Sequence, residues 1–218
     1  AIHVSGDNTI LSYNNFTNNV ALGNGGALDI GGSNASVYYS WFDHNEAKVD
    51  GGAIYWNGGH GSDSIVGCLF TNNGCNDTGK GGGAIYWSAG EIGHITAGGL
   101  IKDSVFINNT ARNKHGGAID WFHAWDSVID NCTFINNHAG SDGGALYTGD
   151  WNGGSKNLTI SNCKFYSNTA TKHGGAIANQ MTAAHIVNNT FDGNFAQASG
   201  GSIVIKETNA YDTVIDGC

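Results

Sequence analysis

Apolar residues along this chain come in short bursts separated by Asn- and Gly-rich stretches, and the bursts repeat. A Phe recurs at Phe16, Phe42, Phe70, Phe106, Phe134, Phe165 and Phe191, at spacings of 26, 28, 36, 28, 31 and 26 residues. Five residues before each Phe stands an aliphatic: Leu11, Val37, Ile65, Ile101, Ile129, Ile160 and Ile186. Three residues after each comes Asn: Asn19, Asn45, Asn73, Asn109, Asn137, Asn168 and Asn194. Two further on is a small side chain, at Ala21, Ala47, Cys75, Ala111, Ala139, Ala170 and Ala196. A Gly pair follows, beginning at Gly25, Gly51, Gly82, Gly116, Gly143, Gly174 and Gly200, and then an aliphatic at Leu28, Ile54, Ile85, Ile119, Leu146, Ile177 and Ile203.

A period of this length is the signature of a solenoid. No segment has the 3.6-residue period of a helix. Short β-branched runs bounded by Gly and Asn are strand and turn chemistry. Each repeat is therefore read as one coil of about three short strands. Asn is expected to turn a corner in the left-handed conformation and to hydrogen-bond its stacked copies as a ladder. Coils about 4.8 Å apart give a rod about 35 Å long. The predicted fold is all-β: a right-handed, single-stranded parallel β-helix of the pectin-lyase-like kind, with about seven to eight coils.

Composition narrows the partners. The chain has 218 residues, 35 Gly, no Pro, a net charge of −9 and one Arg, Arg112. Without a basic run it is not a nucleic-acid binder. No apolar stretch is long enough for a membrane helix. It opens on Ala1 without a signal-peptide pattern, which suits a processed or cut chain. Residues 1–218 read as one β-helix domain without obvious terminal caps. Ala1-Ile2 enters partway through a Gly-Gly-Ala-Ile repeat, and Cys218 stops short of a next Phe. The expectation is either a piece of a larger adhesin or a subunit that meets copies of itself head to tail.

The paired signature FxxN and GGAI, as in "FINNTARNKHGGAI", resembles the repeats of chlamydial polymorphic outer-membrane adhesins. It is also similar to the repeats of adhesin-like surface proteins of methanogenic archaea. The resemblance covers nearly the whole chain. It implies an extracellular, cell-envelope setting but does not fix activity; because the Asp residues are scattered without a convergent cluster, the chain is expected to be non-enzymatic, as an adhesin-like module or as a sheath, surface-layer or filament subunit. The same fold hosts polysaccharide-binding and polysaccharide-cleaving proteins, so that alternative stays open.

Candidate chemistry lies in the columns between the core positions. One residue past the last aliphatic stand Asp29, Tyr55, Tyr86, Asp120 and Tyr147. By alternation they oppose the interior Ile and are expected to face solvent, as a stripe for glycan or another subunit. Trp56, Trp87 and Trp121 follow, read as stacked aromatics covering a corner. Insertions at one corner add Trp125, Asp126 and Trp151, along with His60, Glu91, His94, His123 and Asp150. Trp beside carboxylates can cradle a sugar or pack a loop. The column before the Gly pair carries His115, Asp142 and His173, a conceivable metal set among ordinary turn residues. No cofactor is called for. A hydrolase needs two carboxylates across a bond, and Asp120 with Asp126 is the least unsuitable pair. Cys68, Cys132, Cys163 and Cys218 share one column, two residues before the Phe position. With Cys75 they are read as buried thiols acting as small hydrophobes, except Cys218, a candidate for an intermolecular disulfide. Seven Asn-x-Ser/Thr sequons, at Asn15, Asn34, Asn76, Asn108, Asn131, Asn157 and Asn188, are candidate glycan sites on exposed turns.

Overall fold

The computed structural model describes residues 2–58, 61–76, 79–88, 98–149, 157–180, 183–206 and 213–218. Within them the chain winds into stacked coils whose strands pair only in parallel with the equivalent strands above and below. Each coil contributes four strands rather than the expected three. One coil shows the pattern: Leu100–Lys102, Val105–Ile107, Thr110–Ala111 and Ile119–Phe122. These build four sheets. Sheet A holds the strands after the Gly pair, sheet B those around the first aliphatic, sheet C those around the Phe, and sheet D the two-residue strands around the small residue. Sheets A and B have eight strands each, C and D seven each. The extra strand went unread because two residues carry no alternation that a pattern can display. Among the described residues no helix is long and apolar enough to cross a membrane.

The interior is built of like-on-like ladders. The seven Phe rings stack at centroid distances of 4.7 to 4.9 Å, with interplanar angles of 2° to 13°. Register puts Phe70 opposite Phe106 and Ile65 opposite Ile101, so each apolar side chain packs on its own copy. Each fully buried Phe contributes about 1.5–3 kcal/mol of transfer free energy. Trp56, Trp87 and Trp121 do not cover a corner. They are core residues at 0%, 1% and 1% exposure, stacked at 4.5 and 4.6 Å. Their column faces inward because it lies two residues beyond an inward Ile in the same strand.

The Asn ladder forms as expected, but the ladder Asn does not turn the corner. The left-handed residue is the one before it: Asn18, His44, Asn72, Asn108, Asn136, Ser167 and Gly193 have φ between 53° and 64°. That turn drives the next side chain inward. There Asn109 Oδ1 accepts the backbone N–H and the side-chain amide of Asn73, both at 3.0 Å. Its own Nδ2 donates to Phe70 O and to Asn137 Oδ1, again at 3.0 Å. A corner that would otherwise bury unpaired backbone groups is thus satisfied by one repeated side chain.

The two residues of each Gly pair meet different constraints. The first is left-handed, as at Gly116 with φ 64°. The second has an ordinary φ but, in every pair except the last, no room. A Cβ on Gly117 would lie 2.6 Å from His138 C and 2.7 Å from His138 N, and closer still to the Gly144 carbonyl oxygen.

Candidate functional site

The outward column of sheet A runs in register through His3, Asp29, Tyr55, Tyr86, Asp120 and Tyr147. Its direction is as alternation predicts; its exposure is not. Tyr86 is only 3% exposed and Asp120 only 1%, while Tyr55 and Tyr147 are half-buried. Neighbouring side chains fold over the strand. Lys80 places Nζ 3.7 Å from the Phe122 ring centroid, and the His115 ring stacks on Tyr147 at 4.3 Å. A solenoid's outer face is solvent only where such neighbours leave it bare.

Asp120 is the unusual member. Both carboxyl oxygens are buried without a hydrogen-bond partner. Burial, aided by the nearby Asp50 carboxylate and only partly opposed by Lys80, pushes its pKa well above the usual carboxylate range. Burial raises the pKa of Asp50 too, although Asp50 accepts the N–H groups of Lys80 at 2.5 Å and Gly81 at 3.0 Å. The Tyr86 and Tyr147 phenols are likewise shifted up, by burial first and then by the charge of Asp120. This face therefore holds a carboxyl biased toward its neutral, proton-donating form.

Between the ordinary carboxylate pKa of about 3.9 and the raised folded value, the unfolded chain has lost a proton that the folded chain keeps. Asp120's contribution is thus fully present at acid pH and is lost as pH rises toward the folded value. Denaturant unfolding across pH should show stability falling by up to about 1.4 kcal/mol per pH unit from this group. Asp120→Asn should shrink that slope, leaving the part due to Asp50. An unchanged slope would mean that Asp120 ionises freely.

The structure does not bring Asp120 and Asp126 into one constellation. Asp120 is buried on sheet A, whereas Asp126 is exposed at the next corner, left-handed, and accepts Asn157 Nδ2 at 2.8 Å. Trp125 beside it is half-buried, and its carbonyl accepts the Gly98 N–H and the Ser127 hydroxyl. Trp151, His60, Glu91, His94 and Asp150 lie outside the described residues.

The column before the Gly pair is a chain of polar turn contacts. His115 Nδ1 lies 3.5 Å from Asp142 Oδ2, and Lys206 Nζ lies 3.5 Å from Asp142 Oδ1. His173 donates its backbone N–H to Asp142 at 3.1 Å but turns its ring to Ser199 Oγ at 3.3 Å. His115, Asp142 and His173 are therefore not gathered around one point. Among the described residues no three His, Cys, Asp or Glu side chains are grouped to hold a metal ion. Burial lowers the His115 pKa, against the pull of Asp142.

The thiols behave as more than small hydrophobes. Their column also contains Asn14, Ser40, Ser104 and Asn189, and it works as a second polar ladder. Ser40 N donates to Cys68 Sγ at 3.5 Å, Cys68 Sγ to Val37 O at 3.5 Å, and Cys132 N to Cys163 Sγ at 3.4 Å. All five are free thiols, four of them buried and Cys218 exposed. Burial pushes Cys68 up to about 11 and Cys132 well above the usual thiol range, so neither is a ready nucleophile.

Six of the sequon Asn residues are exposed: Asn15, Asn34, Asn108, Asn131, Asn157 and Asn188. Asn76 is half-buried, bridged to Glu46 and Arg112. Arg112 also reaches Glu46 at 3.2 Å and borders a hollow of about 270 Å³ with Asn72, Asn108 and Thr110.

Pattern reading missed an aromatic patch at the corner between sheets B and C. Three residues before each Phe, the column reads Tyr13, Tyr39, Gly67, Asp103, Asn131, Asn162 and Asn188, all left-handed. Gly, Asp and Asn suit that conformation; Tyr does not. Two Tyr in such a column were the available signal. Tyr13 and Tyr39 are 77% and 55% exposed, and Trp41 next to them is 40% exposed.

Residues 67–86, which contain one FxxN and one GGAI segment, match the model of the Chlamydia polymorphic membrane protein repeat. Residues 84–218 match the model described as right handed beta helix region. No curated protein matches the chain, and no solved structure does. With the larger match spanning more than half of its length, and with every described strand stacked in parallel coils, the chain belongs to the right-handed β-helix family.

Proposed function

We propose that this chain is a non-catalytic, extracellular cell-envelope protein: a rigid β-helical rod with an adhesin-like or structural role at the cell surface. The observation that carries this reading is the repeat itself, in which the FxxN and GGAI segments of residues 67–86 are similar to a repeat of Chlamydia membrane proteins. Six exposed sequon Asn residues support an extracellular setting. The chain's partners in this reading are copies of itself stacked head to tail, with the exposed Cys218 as the link between neighbours, and cell-surface glycans.

The test is made on the cells that produce the protein. Protease shaving of intact cells should release its peptides, and sedimentation of the purified chain should show association that rises with concentration. Peptides recovered only after lysis would overturn the surface reading. A second reading, a polysaccharide-cleaving enzyme, is favoured by one observation, the proton-holding carboxyl of Asp120. Release of reducing ends or unsaturated products from a polysaccharide panel, abolished by Asp120→Asn, would put that reading in place of ours.

A further inference from the structure

Four residues of the first two coils form a square on the outer surface. Tyr13 and Asn15 stand on one coil, Tyr39 and Trp41 on the next. Asn15 and Trp41 are direct register partners in parallel strands, about one strand spacing of 4.8 Å apart. Tyr13 and Tyr39 stack at 5.3 Å with an interplanar angle of 22°. Among the described residues the exposed aromatic rings are Tyr13, Tyr39, Trp41 and Phe195, so three of the four surround Asn15.

This patch is costly and rigid. Tyr13 and Tyr39 have φ of 57° and 47°, a region that strains a bulky side chain. The core needs neither ring, since Gly, Asp and Asn serve at the same corner in later coils. Trp41 is held by a hydrogen bond from Nε1 to Thr71 Oγ1 at 3.0 Å, and Thr71 Oγ1 in turn donates to Asp43 at 2.5 Å. Strain kept at a surface, with rings locked in place, is the mark of a surface that something covers.

The polar corner of the square identifies the occupant. Asn15-Phe16-Thr17 is a sequon whose Asn and Thr both point outward while Phe16 points inward. Asn15 lies in a strand, whereas Asn34, Asn108, Asn131, Asn157 and Asn188 are left-handed corner residues. The side-chain amides of Asn131 and Asn157 are moreover committed to Asp103 and Asp126.

We propose that Asn15 carries an N-linked glycan whose first saccharides lie across Trp41, Tyr39 and Tyr13. The donor is a lipid-linked oligosaccharide phosphate. Asn15 Nδ2 bonds to the anomeric carbon, the bond from that carbon to the phosphate oxygen breaks, and the amide proton leaves with the phosphate. The C–H face of a pyranose then packs on the rings as an aromatic neighbour would, while its hydroxyls stay in water. The proposal rests on the surface-protein reading, because the donor reaches only exported chains.

Peptide mapping by mass spectrometry of the protein from its own cells should find saccharide on Asn15. Thr17→Ala should abolish it, and Thr17→Ser should keep it. Enzymatic removal of the glycan should lower the Tm of the wild-type protein by about 2–4 °C. The same removal should leave Trp41→Ala nearly unmoved, and Trp41→Phe, which keeps a ring and guards against a folding failure, should retain part of the shift. A bare Asn15 on a protein shown to be at the surface overturns this inference alone. Equal Tm losses in wild type and Trp41→Ala overturn the docking of the glycan on the rings. A protein confined inside the cell overturns the surface reading and the glycan together.

Discussion

Gly117→Ala is expected to be among the most damaging single-methyl changes at the described residues, costing more than about 4 kcal/mol or preventing folding. The added Cβ would sit 2.6 and 2.7 Å from backbone atoms of His138, and closer to the Gly144 carbonyl oxygen. All of these are backbone atoms, His138 in a paired strand and Gly144 in a corner that donates its N–H to Gly174 O at 3.0 Å, so none can move without breaking a coil-to-coil hydrogen bond. Gly117 N–H donates to Gly143 O at 3.0 Å and fixes that approach. Gly23→Ala is the control, because a Cβ there meets nothing within 4 Å. Thermal unfolding of the two variants should differ widely. Equal Tm values would mean that the coils can separate at the Gly pair, and the close approach would not be a constraint.

Asn109→Ala should destabilise by about 3 kcal/mol, the upper end for leaving buried polar groups unpaired. Asn109 is fully buried and makes four hydrogen bonds to two neighbouring coils. Truncation takes the partner of the Asn73 N–H and one donor each from the Phe70 carbonyl and the Asn137 amide oxygen, which keeps the Asn109 backbone N–H, in a place water cannot reach. Asn19→Ala, in the first coil and half-buried, should cost less. Denaturant unfolding of the pair decides the point. A loss within a few tenths of a kcal/mol for Asn109→Ala would show that the ladder contributes geometry but little free energy.

Asp120 and Tyr13 show why columns alone do not assign a site. Asp120 stands where alternation puts an outward residue and is 1% exposed, whereas Tyr13, a corner residue to which the pattern gave no role, is 77% exposed. The difference comes from what other columns do. Around Asp120, the long side chains of Lys80, His115 and Phe122 lie over the face, and no spacing in the sequence records where a lysine stem will lie. At Tyr13, the Tyr39 ring stacks against one side and most of the remaining surface meets water. His115, Asp142 and His173 carry the same lesson: consecutive coils brought them into one row, but the His173 ring turned to Ser199 of the next coil and Lys206 came to Asp142.

The ladders were legible because each is a local rule repeated. An Asn three residues past a Phe, a Gly pair and an Ile form a pattern that any coil displays alone, and stacking multiplies it in register. The sequence by itself thus determined the parallel coil, the inward Phe and Ile columns, the hydrogen-bonded Asn ladder, and the outward direction of the column from Asp29 to Tyr147. Only the tertiary structure decided the fourth strand, the left-handed residue before each ladder Asn, the inward Trp stack, and which outward residues meet water. Those depend on how one corner's side chains settle over the neighbouring sheet, a contact between columns that differ from coil to coil and so leave no period to read.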